Sequence, residues 1–152
     1  MAETATKTDF DLTLDRRLPA SRDRVYRAWT DPDEVRQWWA LSGMTVEIAD
    51  FDIRVGGNFR LGLRSQEGSL HVARGEYSVV EPPAKLVHTW QWEEDGPGGS
   101  QVMQVTVEFI EDGDATRLVL THEDFRNQEA ADRHTSGWTD KLDCLERYFR
   151  EG

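Results

Sequence analysis

The sequence predicts an α+β fold: a curved antiparallel sheet of about six to seven strands wrapped around one long C-terminal helix, with two short helices after the first strand. Two patterns and one requirement predict it. Trp138, Leu142, Leu145 and Phe149 recur at the spacing of a single helix face, and Ala131 and His134 extend that seam backwards by a turn, so Asp132 to Glu151 reads as a long amphipathic helix. Most of the preceding chain alternates apolar and polar residues at period two, the pattern of strands with one buried face. A helix seam this wide and aromatic needs a large partner surface, and the sheet is the only one the pattern offers. Asp140, Asp143, Arg147 and Glu151 fall on the helix's solvent side, where Asp143 and Arg147 are spaced for an ion pair worth about 0.3 kcal/mol.

Met1 to about residue 8 is small and polar, with nothing to bury, and is expected to be disordered; residues 9–152 form one domain. Phe10, Leu12, Leu14 and Leu18 alternate with Asp11, Thr13 and Asp15 as the first strand, which Pro19 ends. Ser21 is placed to cap a short helix carrying Val25, Tyr26 and Trp29. Asp31 caps a second, with Pro32 where a missing N–H costs nothing and Glu34 in register for a capping box, so that Val35 to Trp39 are helical. Met44–Ile53 and Asn58–Arg64 are strands joined at Gly56-Gly57, the second with Phe59, Leu61 and Leu63 on one face and Arg60 and Arg64 towards solvent. Leu70 to Val80 continues the alternation until Glu81-Pro82-Pro83 breaks it. Leu86, His88, Trp90 and Trp92 share a face of the next strand, and Asp95 to Ser100 reads as a hairpin loop. Met103, Val105, Val107 and Phe109, then Leu118, Leu120 and His122 across an Asp112-Gly113 turn, complete the sheet before Asp124 to Gln128 leads into the helix.

At 152 residues with 18 basic and 29 acidic side chains, the chain carries a net charge of −11, which opposes binding to phosphate backbones and anionic lipid surfaces. No nucleic-acid or membrane partner is expected. The single Cys144 allows neither an internal disulfide nor a cysteine metal site, and it falls at the border of the helix's polar face without a base nearby. No leader-like or membrane-length apolar run is present, so the reading is a cytoplasmic protein. Six tryptophans, with Trp38-Trp39 and Trp90-x-Trp92 as pairs, imply aromatic walls.

A twisted sheet gripping a helix leaves more concave surface than one helix fills, hence a cavity near the end that the two short helices close. The inward-facing aliphatic residues are core in any such fold. Trp90, Trp92 and Trp138 fit a lined cavity and tight packing equally. His71, His88, His122 and His134 lie on separate elements with no ligand spacing, so no metal site is expected. His88, His122 and His134 fall on the inward face, where each either satisfies a neighbour or orients a ligand. Tyr26, Trp29, Trp38 and Trp39 belong to the lid, with one of Trp38 and Trp39 at the mouth. The candidate ligand-binding set is therefore His88, Trp90, Trp92, Phe109, His122, His134, Trp138, Leu142 and Trp39, with no catalytic residue and no cofactor.

The blocks from Pro19 to Trp39, Arg54-Val-Gly-Gly-Asn-Phe-Arg60, Glu81-Pro-Pro-Ala-Lys-Leu-Val-His-Thr-Trp90, Thr116-Arg-Leu-Val-Leu-Thr-His122 and Gly137-Trp138 resemble, in order, those of the START-like helix-grip superfamily (SRPBCC), in its branch of heat-shock-protein ATPase activator homologues. The resemblance covers about Asp9 to Phe149 and implies the helix-grip fold reached above from periodicity. That fold hosts lipid and hormone carriers, cyclases and aromatases, and cochaperone modules, joined by a hydrophobic pocket. The expected function is binding of a small hydrophobic or aromatic molecule between sheet and helix, without catalysis. A polyketide cyclase or aromatase-like enzyme and a chaperone-ATPase activator-like interaction module are the alternatives, and contact with a chaperone or a second copy of the chain stays open.

Overall fold

The computed structural model describes residues 11–93, 102–125 and 128–151. The expected disordered N-terminus, the start of the first strand at Phe10 and the Asp95–Ser100 loop lie outside the described residues. The chain runs β1 (Leu12–Leu18), α1 (Arg22–Thr30), α2 (Pro32–Ala40), β2 (Thr45–Phe51), β3 (Asn58–Arg64), β4 (Leu70–Glu81), β5 (Lys85–Trp92), β6 (Met103–Asp112), β7 (Ala115–Glu123) and α3 (Gln128–Glu151). The seven strands form one antiparallel sheet in the order β1-β7-β6-β5-β4-β3-β2. From β2 to β7 each strand pairs with the next in sequence, while β1 crosses to the far edge and pairs with β7, Leu12 opposite His122 and Leu18 opposite Thr116. This is the helix-grip architecture.

The period-two residues go where the pattern sends them. Phe59, Leu61, Leu63, Leu86, His88, Trp90, Met103, Val105, Val107, Phe109, Leu118, Leu120 and His122 are all buried beneath α3 and the short helices. Arg60 and Arg64 project from the other face, paired with Glu93 and Glu47. The β4–β5 pairing slips register between Tyr77 and Val79, close to Gly75. A Cβ at Gly75 would stand 2.0 Å from the Thr89 carbonyl oxygen, so this close passage of β4 over β5 requires glycine.

The caps read from sequence form, one of them differently. Ser21 Oγ accepts from the Arg24 N–H at 3.3 Å, and Asp31 Oδ1 from the Asp33 N–H at 2.9 Å. Glu34 does not close a capping box, because the Asp31 N–H already donates to the Arg27 carbonyl. Its carboxylate instead accepts from Arg24, Arg27 and the Tyr148 hydroxyl, joining α1, α2 and α3.

Three expectations for the long helix need correction. It begins a turn earlier, at Gln128, since Ala131 is buried and belongs to the seam. Asp143 does not pair with Arg147: Arg16 of β1 takes Asp143 at 2.8 Å and Glu146 at 3.1 Å, a tertiary pairing that outcompetes the local one. Cys144 is buried rather than at the polar border, because β1 and α2 flank α3 and widen its covered face; burial, then the Asp140 charge, pushes its thiol up.

Candidate functional site

Helix α3 is drawn towards β1 and α2 by these contacts, and on the side of β3, β4 and β5 the two layers part. The gap is a cavity of about 460 Å³, within the range of small-ligand sites. Its sheet wall is Leu63, His71, Trp90 and Trp92; its helix wall is Arg133, His134, Gly137, Trp138 and Lys141; Trp39 and Met44 close the end. A chamber of about 50 Å³ lies behind, sharing Trp39, Trp90 and Trp138 as the partition and reaching His88, Phe59 and Tyr77. On the outer face, a polar depression of about 880 Å³ surrounds Arg60, Arg74, Glu76 and Glu93; there charges pair with one another, as in Arg60 and Glu93 at 2.9 Å, and apolar walls to hold a ligand are few.

All six tryptophans form one connected cluster centred on Trp138. Its ring lies 5.4 Å from Trp90, 6.1 Å from Trp29 and 6.4 Å from Trp39 between centroids, while Trp92 stands edge-on to Trp90 and Trp38 touches both Trp29 and Trp39. Such pairs add attraction beyond area burial and stiffen the wall. Trp38 donates to the Ala28 carbonyl at 2.9 Å, so of the adjacent pair it anchors the lid and Trp39 faces the cavity. The Trp90 N–H has no acceptor among the described residues.

Two tryptophans donate to histidines, and these bonds fix the imidazole protons. Trp92 donates to His134 Nε2 at 3.1 Å, while His134 Nδ1 lies 2.8 Å from the Ala130 carbonyl and must carry the hydrogen. Trp138 donates to His122 Nδ1 at 3.0 Å, which puts the hydrogen of neutral His122 on Nε2, a buried atom with no partner among the described residues. Phe125 packs on both rings, at 4.3 Å from His122 and 4.8 Å from His134. Burial, with the charges of His134 and His88 adding to it, pushes His122 down to about 2. Burial takes His88 down to about 4 against the opposing bond to the Thr89 carbonyl, and lowers His134 as well. All three are neutral at pH 7.

The residues expected to bind thus fall into two layers. Trp39, Trp90, Trp92, His134 and Trp138 line the cavity. His88 lines only the small inner chamber, His122 stands behind Trp138, Phe109 packs beneath Tyr26 and Trp29, and Leu142 is sealed in the core. Met44, Leu63, His71, Arg133, Gly137 and Lys141 line the cavity and escaped the sequence reading. Three of them carried a signal: Arg133, Gly137 and Lys141 step by four, one helix row beside His134, Trp138 and Leu142. Among the described residues no group of three His, Cys, Asp or Glu side chains is placed to hold a metal ion, and no helix is long and apolar enough to cross a membrane.

Comparison with solved structures finds the same fold. An AHSA1 protein from Silicibacter pomeroyi is 26% identical over 92% of this chain and 97% of its own, with a TM-score of 0.79. An AHSA1-like protein from Aeromonas hydrophila, 24% identical over 93% and 92% of the two chains, gives 0.76. A protein from Chromobacterium violaceum, 23% identical over 91% and 96%, gives 0.79. No curated relative matches the chain. The family model described as Activator of Hsp90 ATPase homolog 1-like protein matches residues 19–150, nearly the whole of the described fold, and the chain belongs to that family.

Proposed function

We propose that the chain binds a small hydrophobic or aromatic molecule between the sheet and α3, without catalysing its conversion. The observation that carries this reading is the cavity of about 460 Å³ walled by Trp39, Trp90, Trp92 and Trp138. Large apolar side chains around a gap of this size lose packing contacts unless a ligand fills it. Gly137 adds to the argument: glycine in a helix interior costs about 1 kcal/mol relative to alanine, and a Cβ there would meet nothing within 4 Å. Its absent side chain leaves the cavity wall low. Neither His134 nor His122 is placed to move a proton in the cavity, since His134 has both ring nitrogens engaged and His122 is shut behind Trp138.

Native against denaturing mass spectrometry of freshly purified protein tests the reading, with Gly137→Leu as the partner variant. A discrete mass lost on unfolding, present in the parent and absent from a folded Gly137→Leu, is the expected result. A mass that persists in the filled variant places the ligand elsewhere, and failure of the parent to take up any apolar compound on titration removes the carrier function.

The family's description favours a second reading, in which the outer surface contacts a chaperone ATPase. Cavity substitutions would then leave the activity intact, while charge reversals on the acidic exterior would abolish it.

A further inference from the structure

We propose that the cavity selects a small aromatic acid, its anionic end held by Lys141 and Arg133 and its flat body between the tryptophans; the inference rests on the binding reading above. The chain has 29 acidic and 18 basic side chains, yet the cavity wall contains no Asp or Glu, and its charged members are Arg133 and Lys141. That inversion of sign is local. With a screening length of about 8 Å at physiological salt, a ligand in the cavity feels these two cations more than the distant acidic exterior.

Lys141 is built in rather than trailing in solvent. It is 8% exposed, its Nζ lies 5.2 Å from the centre of the Trp39 ring, and its hydrogen-bond partner among the described residues is Asp140 Oδ2 at 3.2 Å. Asp140 is more than half exposed and occupies one of three ammonium hydrogens, leaving two to donate. The Arg133 side chain makes no ion pair or hydrogen bond among the described residues, and Arg133 stands about two turns of α3 away along the same row, with Gly137 between them. Each Cα lies roughly 6 Å of helix axis from the glycine; Lys141 leans back towards it, as helical side chains do, and the arginine side chain is long enough to reach forward across that distance. With Asp140 counted, the site holds one net positive charge, which matches a monoanion.

His134 restricts the ligand further. His134 donates to Ala130 and accepts from Trp92, so it offers a ligand no free acceptor. An amine would meet two like charges, and Asp140, the carboxylate counted with the site, stands outside the cavity wall and is already held by Lys141. A carboxylate would gain charge-assisted hydrogen bonds in surroundings partly shielded from water, where they are strongest. The four tryptophan faces suit a flat, π-rich body rather than a flexible alkyl chain.

Isothermal titration calorimetry with naphthaleneacetate and its neutral isostere naphthaleneacetamide tests the proposal on the full chain. The acid should bind about tenfold more tightly than the amide. Lys141→Met should bring the two within about twofold of each other, whereas Lys141→Arg, which keeps the charge, should retain the preference. Should Lys141→Met fail to unfold cooperatively, Arg133→Met carries the comparison, with a partial loss of preference expected. Equal affinity of the parent for acid and amide overturns the acid selectivity and leaves the cavity reading standing. An acid preference that survives in both Met variants also overturns it, by placing the anion elsewhere. Binding of neither compound overturns the selectivity for a small aromatic acid and leaves the cavity reading to the mass measurement above.

Discussion

The indole N–H of Trp138 on α3 donates to Nδ1 of His122 on β7 across 3.0 Å, and both side chains are buried. This bond joins the long helix to the sheet at the back of the cavity. It exists only while His122 is neutral, because a protonated ring would present an N–H to an N–H. The same holds for Trp92 and His134 on the cavity wall.

Acid should therefore loosen the grip. His122 and His88 are held down to about 2 and about 4, whereas in the unfolded chain both titrate near the ordinary 6.5. Above that value neither state takes the proton and the groups contribute nothing to the slope. Below it the unfolded chain binds protons that the fold excludes, and stability falls by about 1.4 kcal/mol per pH unit for each histidine. Urea denaturation at pH 7 and pH 5 should show a clear drop in midpoint, and His88→Phe should flatten the slope. A midpoint independent of pH over this range would remove the buried neutral histidines from the account.

Replacing Trp138 separates packing from hydrogen bonding. Trp138→Ala should destabilise by about 3–5 kcal/mol, since the ring touches Trp29, Trp39 and Trp90 at once. Trp138→Phe keeps much of the volume but leaves His122 Nδ1 without its donor, at a cost of about 1–3 kcal/mol. Chemical denaturation of both variants measures the difference.

Gly137→Ala should stabilise the chain by about 0.5–1 kcal/mol, because the position is helical and the added methyl meets nothing. A rise in thermal midpoint, with weaker binding of naphthaleneacetate than the parent shows, would identify this glycine as one kept for space.

Glu34 ties three helices together, accepting from Arg24, Arg27 and Tyr148. Burial alone would raise its carboxyl; the bonds from Tyr148 and Arg24, with the charges of Arg24 and Arg27, outweigh that and hold it below its ordinary value. A depressed carboxylate stabilises above its unfolded pKa and loses that contribution as acid protonates it. Tyr148→Phe should cost about 1 kcal/mol at pH 7, measured by denaturation, and less in acid.

Periodicity by itself determined which residues turn inward. Alternation assigned the buried face from Phe59 to His122, the four-residue step assigned the seam of Trp138, Leu142 and Leu145, and Ser21 and Asp31 marked two helix starts, because these depend on local geometry that repeats every two or 3.6 residues. The distance between the layers has no such local signature. Only the tertiary structure decided that α3 leans towards β1 through Arg16 and away from β5, which left Trp39 and His134 on an open wall while sealing His122, Phe109 and Leu142 behind it. The same lean buried Cys144 and brought Lys141 to the cavity: a period tells which way a side chain points, and only the packed partner sets what it meets there.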